Sequence, residues 1–265
     1  MDIKNKRIWV TGASSGIGEA VAKELAAQGA NLILSARNEA QLEALRASLP
    51  NAESHIVVAI DLSKSEDIAD IVAPVLKDIG RLDVLVNNGG ISQRGLARDT
   101  LLDVQRQVME VNYFGTVAMT QAVLPSMLEN GGGMIVTVSS VAGKVGGQSM
   151  SGYSASKHAI LGYMNCLRAE EALNGIKVLN ICPGFVQTNI SVNAMLADGQ
   201  QYGKVAGSIA NGIDVQTCAV KMVNAIRQEK DEVVIGKGIS YWAPTIYRFF
   251  PGLFRRLSSS KNFRE

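Results

Sequence analysis

At 265 residues, 47% hydrophobic and 19% charged, the chain has the size and composition of one globular domain with a large core. A formal net charge of +2 is too small to point to nucleic acid or any other polyanion. Three cysteines without CxxC spacing (Cys166, Cys182, Cys218) read as free or buried thiols of a reducing compartment, and two histidines (His55, His158) leave no histidine-rich metal site, so no metal is expected.

The start, Met1 to Arg7, is polar and has no signal-peptide pattern. No uninterrupted apolar run reaches the length of a membrane span, so the expected location is cytoplasmic. Ile8-Trp9-Val10 predicts a short buried strand. Thr11-Gly12-Ala13-Ser14-Ser15-Gly16-Ile17-Gly18 follows, then helical spacing from Glu19 to Gln28. Strand, glycine-rich turn and helix in that order aim backbone N–H groups and a helix N-terminus at a pyrophosphate. Glycines at 12, 16 and 18 permit the tight turn and close approach of the phosphates, although the spacing differs from the commoner G-x-G-x-x-G. Such a turn alone is a weak signal; its place after the first strand gives it weight.

Asn31 to Ser35 is a second strand. An acidic residue at its end would hold the ribose 2′-hydroxyl of NAD. The chain instead reads Ala36-Arg37-Asn38, and Arg37 suits the 2′-phosphate of NADP. The plainer reading of Arg37 is a solvated surface residue. Glu39 to Leu49 reads as a helix and His55 to Ile60 as a third strand ending in Asp61-Leu62. Asp61 either accepts from an adenine amino group or caps the helix after Ser63. Ser65 to Asp78 reads as a helix despite Pro74, and Leu82 to Val86 as a fourth strand. Asn87-Asn88-Gly89-Gly90 after it suits a backbone wall beside a cofactor, or a simple turn.

Leu101 to Leu128 predicts one long helix or two. Asn112 inside it is a poor interior residue that marks a local distortion. With Val111, Tyr113 and Phe114 read as buried, Asn112 needs partners, so it is either a structural bridge or part of a proton path. Met134 to Val138 is a buried strand ending in Ser139-Ser140, whose hydroxyls lie where open α/β sheets bind ligands. Tyr153 and Lys157 then stand one turn apart on a helix running to about Leu173. A nearby ammonium favours the phenolate, and a phenol that titrates near neutrality is a general acid–base. A Tyr/Lys pair alone is common by chance, and a Ser-Ser after a strand is usually a turn or cap. The nucleotide-type turn upstream is what raises both.

Gly175 to Cys182 is a sixth strand, stopping at Pro183-Gly184-Phe185-Val186-Gln187-Thr188. Residues 189–214 have weak periodicity and read as a mobile lid or substrate loop. Val215 to Gln228 predicts a helix and Glu232 to Ile235 a seventh strand. Strand and helix alternate with no linker or repeat, predicting a single α/β domain over 1–265: a Rossmann-like doubly wound sheet of about seven parallel strands flanked by helices. The last segment, 239–265, crowds Tyr241, Trp242, Tyr247, Phe249, Phe250 and Phe254 beside Arg248, Arg255 and Arg256. It reads either as packing against the core or a partner subunit, or as a peripheral membrane-surface segment that delivers a lipophilic substrate.

Together these motifs resemble the short-chain dehydrogenase/reductase family over nearly the whole chain. The family's TGxxxGxG turn is Thr11 to Gly18, and its N-N-A-G is Asn87 to Gly90, with Gly89 where Ala is usual, which loosens local packing. Its Y-x-x-x-K is Tyr153 and Lys157; Ser140, thirteen residues before Tyr153, is preferred to Ser139; its Asn falls on Asn112; its P-G-x-x-x-T is Pro183, Gly184 and Thr188. The text around Tyr153, Leu167 and Pro183 looks like the dehydrogenase/reductase member 7 branch of that family.

The resemblance implies an NADP(H)-dependent oxidoreductase that moves a hydride reversibly between nicotinamide and a small-molecule carbonyl or secondary alcohol. Tyr153 is the implied acid–base, and Lys157 lowers its pKa and binds the nicotinamide ribose. Ser140 hydrogen-bonds the substrate oxygen, and Asn112 holds a water that links Lys157 to solvent. Implied cofactor contacts are Gly12, Ser14, Ser15, Gly16, Ile17, Gly18, Arg37, Asp61, Leu62, Asn88, Tyr153, Lys157, Pro183, Gly184, Val186 and Thr188. A homodimer or homotetramer is the family's usual assembly. The competing expectation, a non-catalytic nucleotide-binding sensor or scaffold on the same fold, has no need of Ser140, Tyr153 and Lys157.

Overall fold

The computed structural model describes residues 1–259. In chain order the strands are β1 (Arg7–Thr11), β2 (Asn31–Ala36), β3 (Ile56–Ala59), β4 (Val84–Asn87), β5 (Gln93–Arg94), β6 (Gly133–Val138), β7 (Ile176–Pro183), β8 (Met195–Leu196) and β9 (Glu232–Ile235). The α-helices are α1 (Gly16–Ala27), α2 (Glu39–Ser48), α3 (Ile68–Ile79), α4 (Leu102–Met109), α5 (Gly115–Glu129), α6 (Ser151–Glu171), α7 (Gly207–Ala210), α8 (Val215–Arg227), α9 (Ile239–Phe249) and α10 (Pro251–Ser258).

Seven of the strands form one parallel sheet in the order β3-β2-β1-β4-β6-β7-β9. Alternate side chains of a strand point to opposite faces, and here both faces are covered. Ile8 and Val10, Leu32 and Leu34, and Val84 and Val86 pack with α1, α2 and α8. Trp9, Ile33 and Leu85 between them pack with α3, α5 and α6 on the other face. Burial on both faces is why these strands read as continuous apolar runs. The chain winds outward from β1 to β3, then restarts at β4 and winds the other way. The switch point therefore lies between β1 and β4, where the connecting loops diverge and leave a crevice at the strands' carboxyl ends.

Several expectations are refined. The third strand is shorter than 55–60, and the helix expected from Ser65 opens with one 3₁₀ turn at Ser65–Asp67 before α3. The stretch 101–128 is two helices joined by a π-helical turn, Glu110–Phe114, with Asn112 in its middle. Of the neighbours expected to be buried, Val111 and Tyr113 are only partly so and Phe114 is 48% exposed. Residues 189–214 are not featureless: β8 pairs with β5, and α7 follows. The aromatic tail forms the helix pair α9 and α10, tied by a T-shaped contact of Tyr247 on Phe254 with ring centroids 5.4 Å apart. The last part of the tail segment, 260–265, lies outside the described residues.

Candidate active site

A single cleft of about 1500 Å³ runs across the carboxyl ends of the strands from Arg37 to Phe254. Its volume exceeds the range of roughly 300–1,000 Å³ usual for one drug-sized ligand, so it has room for a long one or for two side by side.

At one end is the glycine turn. Gly12 and Gly16 sit at φ of +64° and +58°, a region open to glycine at little cost. Gly18 is held for space: a Cβ there would lie 2.1 Å from the Gly12 carbonyl oxygen. Gly18 does not line the cleft, so the expected contact is corrected to a supporting role under the turn. Asn88 fastens the turn from below, its Nδ2 donating to the Thr11 and Gly12 carbonyls at 3.1 and 3.2 Å. Thr11 Oγ1 in return accepts from the Asn88 and Gly89 backbone N–H groups, both at 3.0 Å. Helix α1 starts at Gly16 with no side-chain cap from Ser15, so its first N–H groups face the cleft without intrahelical partners. That cradle of backbone N–H groups fits a pyrophosphate.

Arg37 lies exposed on the cleft wall beyond β2, and Asn38 caps α2 by accepting from Gln41 N at 3.0 Å. Asp61 also lines the cleft, and its Oδ1 accepts from the Ser63 N–H and hydroxyl at 3.0 and 2.8 Å. Partial burial pushes the Asp61 carboxyl up, but those two bonds and the charges of Arg37 and Lys64 hold it below the usual range. Leu62 fills the space the absent Gly89 Cβ leaves, since that atom would lie 2.4 Å from Leu62 Cδ1. The looser packing expected at Gly89 is thus taken up by a neighbouring side chain.

The middle of the cleft holds the hydroxyls. Ser139 is buried and donates to the Lys157 carbonyl at 3.0 Å, so it is a structural tie. Ser140 starts the 3₁₀ turn Val141–Gly143, accepts from Ala142 N at 3.0 Å, donates to the Pro183 carbonyl at 3.4 Å and lines the cleft together with Tyr153. The commitment of the Ser139 hydroxyl to the Lys157 carbonyl is what favours Ser140 as the cleft hydroxyl. Lys157, 5% exposed, donates from Nζ to the Val138 carbonyl at 2.9 Å and stands 5.9 Å from the Tyr153 ring centroid.

Burial dominates the electrostatics here. It pushes the Tyr153 phenol above its ordinary value, partly opposed by Ser140. It lowers the Lys157 ammonium to about 8. Lys157 Nζ is turned to a backbone carbonyl.

Asn112 stands behind the wall, 1% exposed. Its Oδ1 accepts from Ile91 N at 2.8 Å, and its Nδ2 donates to the Ile91 carbonyl at 2.9 Å and to Ser156 Oγ at 3.0 Å. Both Nδ2 hydrogens are committed, so the carboxamide is the structural bridge of the two readings, tying the loop after β4 to α6. A Cβ on Gly90 would lie 3.0 Å from Asn112 Oδ1 and 3.4 Å from Lys157 Nζ, so the three converge. Pro183, Gly184, Val186 and Thr188 line the wall beyond β7, and Thr188 closes over Gly16. The far end is apolar, with Val145, Met150, Ile190, Met195, Ala243 and Phe254. Sequence reasoning did not single out Ser156, the Val138 carbonyl or the Met150–Met195 wall. Ser156 sits inside the Tyr153-to-Lys157 motif, yet its residue type alone gives no hint of its partner.

A doubly wound sheet with a glycine-turn cradle at its switch point and a Ser/Tyr/Lys cluster beside it defines a dinucleotide-binding oxidoreductase class. A family model described as short chain dehydrogenase matches residues 6–198, and the chain belongs to the short-chain dehydrogenase/reductase family. The mouse protein named dehydrogenase/reductase SDR family member 7B is 42% identical over 99% of this chain and 83% of its own length. The human member 7 protein is 40% identical over 92% of this chain and 74% of its own. A short-chain dehydrogenase structure from Streptomyces avermitilis matches with a TM-score of 0.82 and 31% identity, over 98% of this chain and 100% of that one. A Burkholderia cenocepacia structure in complex with NADP matches at 0.81 and 25% identity, over 98% and 100%.

Proposed function

We propose that this chain is an NADP(H)-dependent oxidoreductase that interconverts a carbonyl and a secondary alcohol, with Tyr153 as the general acid–base. The bound nicotinamide would supply or accept the hydride. Tyr153 gives its phenolic proton to the carbonyl oxygen during reduction and takes the alcohol proton during oxidation. Ser140 donates to the same oxygen as charge builds on it; a donor of that kind is worth about 3 kcal/mol. Lys157 exchanges the Val138 carbonyl for the cofactor's ribose hydroxyls, and its charge then favours the phenolate. Asn112 positions the loop that presses on both. The glycine turn and the α1 N-terminus bind the pyrophosphate, Asp61 and Leu62 flank the adenine, and Arg37 meets the 2′-phosphate.

The observation that carries this reading is the convergence of Ser140, Tyr153 and Lys157 on the one cleft that the glycine turn also lines. The NADP preference is supported by Arg37 on the cleft wall where an NAD-type carboxylate would stand. Tyr153→Phe tests it. Turnover with NADPH and a panel of ketones falls by about 10²–10⁴, while NADPH binding followed by its fluorescence stays within about twofold. A Phe variant with full turnover would overturn the assignment.

A further inference from the structure

The outer face of α9 and α10 is not used by the chemistry above. On α9, Trp242 and Phe249 are seven residues apart and so share one side of the helix. They are 56% and 65% exposed, with Tyr241 stacked edge-on against Trp242. Phe250 and Leu253 continue the exposed apolar surface across the turn into α10. Arg248, Arg255 and Arg256 border it, all exposed, and among the described residues none of them forms an ion pair.

The charge of the chain is partitioned along its length. Residues 1–235 hold 20 basic and 23 acidic side chains, whereas residues 236–265 hold six basic side chains and one acidic, the terminal Glu265. The near-neutral total thus hides a negative body joined to a cationic, aromatic end. Such a surface suits a partner that is apolar within and anionic at its skin.

The inner side of the same two helices walls the cleft, through Ser240 and Ala243 on α9 and Phe254 and Ser258 on α10. Ile239 does both: it lines the cleft and is 47% exposed at its rim. The exposed aromatic face and the apolar end of the cleft are therefore continuous around one pair of helices. Among the described residues no helix is long and apolar enough to cross a membrane, so the helix pair would lie along a surface.

We propose that α9 and α10 seat this protein on the surface of an anionic phospholipid bilayer, with Trp242, Phe249, Phe250 and Leu253 in the interface and Arg248, Arg255 and Arg256 against the headgroups. Aromatic side chains favour the water–lipid boundary, and amphipathic helices bind it through apolar area together with cationic charge. The mouth of the cleft then opens at the level where a lipophilic substrate is dissolved. The docking does not depend on the proposed reaction, and its test needs no turnover.

The whole chain is floated with vesicles of phosphatidylcholine alone and of phosphatidylcholine containing phosphatidylserine. The protein binds the anionic vesicles, and binding weakens as salt is raised. Its two tryptophans separate the signal: Trp9 is fully buried, so a blue shift in emission on binding comes from Trp242 and is absent in Trp242→Phe. Replacing Arg248, Arg255 and Arg256 together by Gln lowers partitioning about a hundredfold, at roughly fivefold for each charge, and leaves the melting temperature unchanged. No flotation with anionic vesicles overturns the proposal, as does full binding by the triple variant. So does sedimentation showing that this face joins two copies of the chain, with Trp242→Ser releasing monomers that bind vesicles no worse.

Discussion

Replacing Lys157 by Met should abolish turnover and yet stabilise the protein. The ammonium sits 5% exposed, with the Val138 carbonyl as its hydrogen-bond partner. Burial lowers it from 10.5 to about 8. Each tenfold change in proton affinity corresponds to about 1.4 kcal/mol, so keeping the charged form inside costs the fold about 3 kcal/mol at neutral pH. Methionine removes that cost and keeps the stem's packing. The Val138 carbonyl loses its donor, but it borders the cleft, where water can replace the bond at about 1 kcal/mol. The net gain is about 2 kcal/mol, a rise of about 4–8 °C in melting temperature.

The sign of the pH dependence follows from linkage. Below about 8 the lysine is charged in both the folded and the unfolded chain, so the wild type bears the full cost. Between about 8 and 10.5 the folded lysine has lost its proton while the unfolded one keeps it, and wild-type stability rises. The variant's advantage must therefore be greatest at pH 7 and close as pH climbs through that window. Thermal melts by circular dichroism at pH 7, 9 and 10.5 measure it. Coincident melting temperatures at pH 7, or a gap that stays constant to 10.5, would refute the reasoning.

Other outcomes follow from the cleft's walls. Gly18→Ala places a Cβ against the Gly12 carbonyl and displaces the turn; NADPH binding by calorimetry should weaken by about 10–100-fold, the equivalent of an overpacking cost of about 1–3 kcal/mol. Gly89→Ala meets only the far end of Leu62. It should cost about 1–2 kcal/mol in thermal denaturation, and adding Leu62→Val should recover more than half, a coupling that two independent sites would not show. Arg37→Ser should cut the preference for NADPH over NADH by about 10–100-fold in kcat/KM, the worth of one charge-assisted hydrogen bond. An unchanged preference would place the 2′-phosphate elsewhere.

The parts of the structure legible in the sequence were those that local chemistry dictates. Ile8-Trp9-Val10 and Val84-Leu85-Val86 announce strands because both of their faces are buried. The glycine turn announces itself because backbone must pass where no Cβ fits. Asn112 was legible as a distortion, since a carboxamide inside a helix has to find partners, but whether it bridged or relayed depended on where Ile91 and Ser156 came to lie. The pairing of Gln93-Arg94 with Met195-Leu196 gave no sequence signal, being two residues a side and set by tertiary approach. Desolvation of the Tyr153 phenol and of the Lys157 ammonium, which raises the one pKa and lowers the other, had no sequence signal, because it depends on what packs around both.

The order of the sheet also bears on how the chain comes into being. β1 lies between β2 and β4, and Ile8 meets Val84 across a long stretch of intervening sequence. At a synthesis rate of about 5–20 residues per second, one side of the first strand waits roughly 4–15 seconds on the ribosome for its neighbour to emerge. During that time a row of unpaired backbone groups on an apolar strand is open to any other strand within reach. The nascent chain is thus open to aggregation until β4 has emerged, and a chaperone that shields this protein acts in the interval between those two strands.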